Sequence, residues 1–132
     1  MNPFLAIFLA GLSNVVLGMI WYNPRILGTA WMRMSNITPE AAERGRKNMP
    51  VMAVVGFIAA LFMGWVLSVV QTAFGVYDVI SALDVGFWIW AGFIAPVGLG
   101  IVLWEGKPFT LYLINALYWL VAILAMSAIL AW

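Results

Sequence analysis

Residues 48 to 77 read NMPVMAVVGFIAALFMGWVLSVVQTAFGVY and contain no Lys, Arg, Asp or Glu. An apolar stretch of about 18 residues or more can cross a bilayer as a helix. Pro50 suits the first turn of such a helix, and Gly75 and Asp78 suit its end, so the segment predicts a membrane span over about 50–74. Outward from it lie three more charge-free runs, 1–24, 85–104 and 108–132, and all eleven charged residues fall between the runs. The chain is 66% hydrophobic and 8% charged, whereas a soluble domain carries roughly 25% charge. A surface built from so few polar groups must face lipid.

The expected spans are therefore 3–22, 50–74, 85–104 and 108–131, with a connection over 23–49. Within 132 residues this leaves almost nothing for a separate soluble part. The fold class is all-α: a single domain over 1–132, with four transmembrane helices in a small bundle and a short amphipathic or charged helical segment between the first two. No Lys or Arg precedes the first run and no small-residue cleavage site follows a short apolar core, so this run is expected to be retained as a helix.

Charge placement sets an expected orientation. Arg25, Arg33, Arg44, Arg46 and Lys47, set against Glu40 and Glu43, make the first connection basic, whereas the second carries only Asp78 and Asp84. The positive-inside rule places the first in the cytoplasm and both termini outside. Pro24 ends the first helix, with Trp21 and Tyr22 at the headgroup level. Leu27, Trp31 and Met34 recur at helical spacing beside Arg25 and Arg33, which predicts an interfacial helix over 26–34. Thr38-Pro39-Glu40 has the residues of a helix start, giving a small charged helix over 39–47.

Small residues recur every four positions along two spans: Gly56, Ala60, Gly64 and Ser68 in the second, and Gly92, Pro96 and Gly100 in the third. Such rows let another helix backbone approach closely, and Pro96 should free a carbonyl and kink its helix. The polar residues at depth are Asn14 and Asn115, about 12 Å and 10 Å from the cytoplasmic ends of their helices, so the two amides are expected to meet, as packing glue or as the wall of a polar site. On the short third connection, Trp104, Glu105 and Lys107 form an interfacial helix end, where Glu105 can pair with Lys107 or Arg25.

Catalytic templates are missing. With no His and no Cys, the chain lacks the commonest metal ligand, the commonest proton shuttle and any thiol. No carboxylate lies in any expected span, which argues against proton-coupled transport. No catalytic residue, metal, cofactor or nucleic-acid partner is expected.

Trp21-Tyr22-Asn23-Pro24 with Leu27-Gly28 and Trp31-Met32, then Asn48-Met49-Pro50, Trp104-Glu105-Gly106-Lys107-Pro108, Leu113-Ile114-Asn115-Ala116 and Tyr118-Trp119 resemble the bacterial membrane family catalogued as domain of unknown function 1761. The resemblance spans nearly the whole chain and departs at Thr29, where a basic residue is expected. It implies a small four-helix protein of the bacterial inner membrane and carries no established activity. The function expected is that of a structural or accessory subunit that associates with itself or with a larger membrane complex in the lipid bilayer. The alternative is a small carrier or pore for a neutral or amphiphilic compound.

Overall fold

The computed structural model describes all residues, Met1 to Trp132, and is built of helices without a strand. Helix α1, Pro3–Trp21, starts where the Asn2 side chain accepts a hydrogen bond from the Phe4 N–H at 2.8 Å. After Tyr22 the chain makes one wide π-helical turn, Pro24–Gly28, and continues as α2, Thr29–Met34. Asn36, at φ 58°, takes the left-handed conformation that closes α2. Thr38 then caps α3, Pro39–Lys47, by accepting from the Ala41 N–H at 3.1 Å. Both connecting segments expected to be helical, 26–34 and 39–47, are so, the first beginning as the π turn.

Helix α4, Met49–Ala73, ends in a Schellman turn at Gly75, φ 66°, where the Val76 N–H reaches the Gln71 carbonyl. Helix α5 follows at Val79 and runs to Leu103, and α6 is Phe109–Ala131. The four long helices, α1, α4, α5 and α6, are each long and apolar enough to cross a membrane, so this is a multi-pass membrane protein.

The third span departs from expectation at its start, which is Val79 rather than Val85. Asp78 and Ser81 form a capping box: the carboxylate accepts the Ser81 N–H at 2.8 Å and Ser81 Oγ accepts the Asp78 N–H at 3.3 Å. Hydrogen bonding from Ser81, through its hydroxyl and then its backbone N–H, holds the Asp78 carboxyl below the usual carboxylate range. Asp84 consequently lies within the helix, exposed near its polar end. A charge-free criterion truncates a helix whose first turns carry a charged side chain. Further along, α5 widens into a π turn at Trp90–Ile94, then tightens where the Leu99 N–H bonds the Pro96 carbonyl at 3.3 Å. The irregularity brackets Pro96, which has no N–H to continue the ladder.

Helix α6 is the centre of the bundle. It packs against α1 and α5 and more thinly against α4, while α1 also packs along α4. Ala10, Leu67, Ile123 and Met126 meet in the core. Lipid tails are as apolar as these side chains, so association rests on close packing and interhelical hydrogen bonds. Both appear. A Cβ on Gly11 would fall 2.9 Å from Leu61 Cδ2, so α1 and α4 approach closely there. Ala82 and Gly86 are buried where α5 crosses α6. By contrast α4 and α5, although joined by a tight turn, barely touch.

The small-residue rows divide accordingly. Ala60 and Gly64 are buried, Gly64 against Ile7 and Ala10 of α1, and Ser68 is half-buried. Gly56 and Gly92 open outward, with nothing within 4 Å of where a Cβ would stand, and Gly100 meets only Trp104 of its own helix turn.

Candidate functional site

The end of α1 is tied to α6 by side chains of both helices. The Trp21 indole donates to the Ile114 carbonyl at 3.0 Å, and the Tyr22 hydroxyl donates to Asn115 Oδ1 at 2.7 Å. One turn deeper the Tyr118 hydroxyl lies 2.7 Å from Asn14 Oδ1 and 2.8 Å from the Asn14 carbonyl, sharing one proton between them. Asn14 Nδ2 completes its set on Met126 Sδ at 3.4 Å. The two asparagines therefore do not pair with each other, as the sequence had led us to expect. Each takes a tyrosine from the facing helix, and the two tyrosine rings lie side by side with centroids 5.3 Å apart. A phenol reaches farther than an amide, so a helix pair can be pinned at two depths without bringing the two amides together.

Burial pushes the Tyr22 hydroxyl up to about 12, with nearby Tyr118 as the second cause. At neutral pH it is a proton donor, which is what the Asn115 oxygen requires. Because the folded pKa exceeds the unfolded value of about 10, the stability this group contributes is full below pH ~10 and is lost as pH climbs toward ~12.

Segments distant in sequence thus meet at one end of the bundle. Residues 5–131 match the model of the family described as Protein of unknown function (DUF1761). The chain belongs to this family. No curated protein and no solved structure matches it.

In this DUF1761 chain three more polar side chains of the spans bond between α6 and a neighbouring helix. The Gln71 amide donates to the Ser127 carbonyl at 3.0 Å, the Trp90 indole to the Ala116 carbonyl at 2.7 Å, and the Tyr112 hydroxyl to the Ala95 carbonyl at 2.8 Å. The last acceptor lies next to Pro96, in the irregular part of α5. Sequence reading missed Gln71, Trp90, Tyr112 and Tyr118, although a lone amide in the second span was an available signal for Gln71.

Because α4 and α5 splay apart, a cleft of about 390 Å³ opens between them with α6 as its floor. Met63 of α4, Ile94 and Val97 of α5, and Asn115 and Trp119 of α6 line it. Asn115 gives its oxygen to Tyr22, while its Nδ2 donates to no protein atom. A second, shallower groove of about 450 Å³ lies between the two ends of the chain, where Ser13 is the polar residue and already donates to the Ala10 carbonyl at 2.7 Å.

On the basic side Trp31 packs edge-on against Tyr22, with ring centroids 5.5 Å apart. Lys107 reaches the Ser35 carbonyl at 3.5 Å and so joins the third connection to the first. Glu105 pairs with neither Lys107 nor Arg25, and the ion pair present is Arg46 with Glu43 at 3.4 Å. Arg25 and Trp104 are exposed, Trp104 at 87%. No three acidic side chains come together as a metal site.

Proposed function

We propose that this membrane protein works by packing rather than by bond chemistry, as a structural or accessory subunit that self-associates or joins a larger membrane complex. What supports this reading is the use made of its intramembrane polar groups: Asn14, Gln71, Trp90, Tyr112 and Tyr118 all bond across helices. They fix helix positions and leave no acid–base pair poised over a substrate. The outward Gly56 and Gly92 then offer places where a further backbone can approach. Gly64 is spent internally on α1, so the informative variant is Gly56→Leu combined with Gly92→Leu. Its purified complex in detergent should be smaller by at least one protomer than the parent complex. An unchanged mass and an unchanged set of co-purifying proteins would count against the reading.

A second reading, a carrier for a neutral or amphiphilic compound, is favoured by one observation: the open cleft with the unpaired Asn115 amide on its floor. For orientation we propose the inner membrane of a bacterium, with the basic 23–49 connection in the cytoplasm and both termini outside. A phosphatase reporter fused after Trp132 should be active, and one inserted at Gly45 silent. The reverse pattern overturns the orientation.

A further inference from the structure

Nearly every polar side chain inside the bundle has found a partner, so those that have not carry information. Asn115 commits Oδ1 to Tyr22 at 2.7 Å and has no acceptor for Nδ2. Trp119, which also lines the cleft, has no acceptor for its indole N–H. Neither nitrogen is sealed inside the protein, where Ser127 Oγ alone is both buried and unpartnered. Both free groups are donors. Two carbonyls at or beside this region already accept bonds, Ala116 from Trp90 and Ala95 from Tyr112. In hydrocarbon no water satisfies such donors, so a matching occupant brings an acceptor.

Depth and charge narrow the class. Asn115 is about 10 Å along α6 from Pro108, which sets it inside the hydrocarbon layer. No charged residue lines the cleft. An ionised headgroup held there would lack any compensating charge, and the walls of Met63, Ile94 and Val97 suit an apolar chain. At about 390 Å³ the space falls within the usual ~300–1,000 Å³ of small-molecule sites. Resting on the carrier reading of the cleft, we propose that its ligand is a neutral apolar compound bearing a carbonyl acceptor, of the ketone, ester or quinone kind, with the oxygen on Asn115 Nδ2 and the chain along α4 and α5.

The test compares 2-dodecanone with dodecane, matched in chain length and in mole fraction within the micelle, on protein carrying ¹³C-methyl methionine and ¹⁵N asparagine. Both compounds should shift the Met63 methyl signal, which reports filling of the cleft. Only the ketone should shift the Asn115 side-chain amide, and it should saturate at a mole fraction about threefold lower or less. Asn115→Leu should erase that advantage while dodecane still binds, and Tyr22→Phe, which leaves Nδ2 in place, should keep it. If the two compounds saturate together and the amide stays silent, the carbonyl assignment is wrong and the cleft reading stands. If neither moves Met63, both fall.

Discussion

Gly86→Leu should loosen the bundle by about 3 kcal/mol, in the upper part of the range for overpacked sites, read as an earlier loss of helix in an SDS titration or thermal melt. The reason lies at the crossing of α5 and α6. Even a single Cβ at Gly86 would come within 2.5 Å of Ser127 Oγ, 3.2 Å of Ser127 Cβ and 3.4 Å of Ile123 Cγ2. A leucine has nowhere to go unless the helices part, and parting them breaks the Trp90 to Ala116 bond one turn on. Ser127 makes the effect separable. Its hydroxyl is buried and has no partner, so Ser127→Ala alone should be neutral or slightly stabilising. Gly86→Ala should cost about 1 kcal/mol, and Ser127→Ala should restore most of that, because the nearest clashing atom is then gone. A Gly86→Leu protein that melts with the parent would mean that the two helices do not cross here.

The same crossing shows how far the sequence could be read. Spans were legible because hydropathy needs only length, and Pro24, Pro50 and Pro108 mark helix boundaries within a residue or two of where they fall. Faces were not. A soluble helix declares its buried side by polarity, but here the sides toward lipid and toward neighbours are equally apolar: Phe62 and Trp65 are exposed while Leu67, on the same helix, is buried. Regular spacing therefore drew attention to Gly56 and Gly92, which face outward, and passed over Gly86, which does not. The third span was shortened for a related reason, because Asp84 ended the charge-free run, although the helix already starts at Val79, capped by Asp78 and Ser81.

The candidate site was legible in part. Asn14 and Asn115 stand out in any apolar run, yet their partners are tyrosines, of which the sequence reading singled out only Tyr22, as a headgroup-level residue. Tyr118 lies well inside α6 and is buried. The cleft itself could not have been foreseen, since it results from a non-contact: α5 is diverted by the π turn and Pro96, while α4 follows α1.

Gly28→Ala is expected to have the other large effect, and a local one. Its Cβ would run into the Tyr22 carbonyl oxygen and lie 2.8 Å from the Tyr22 carbonyl carbon and 2.9 Å from that of Asn23. All three are backbone atoms, so no rotamer change relieves the contact, and the π turn over Pro24–Gly28 must open. Opening it loses the Gly28 N–H bond to the Asn23 carbonyl at 2.9 Å and the Thr29 hydroxyl bond to the Pro24 carbonyl at 2.8 Å, and it draws Trp31 away from Tyr22. The cost should be about 3 kcal/mol for this segment. Because few contacts join α2 to the bundle, it should appear as sub-global opening rather than as unfolding of the spans. Amide exchange over residues 25–34 should accelerate by roughly a hundredfold, as about 3 kcal/mol implies, while amides in the middle of α6 keep the parent rate. Gly45→Ala is the control, since nothing lies within 4 Å of its Cβ position in α3, and helix propensity alone should make it neutral or stabilising by up to about 1 kcal/mol. Equal exchange over 25–34 in the Gly28→Ala and parent proteins would show that the turn is not closed, and the hold of Trp31 on the Tyr22–Asn115 pair would go with it.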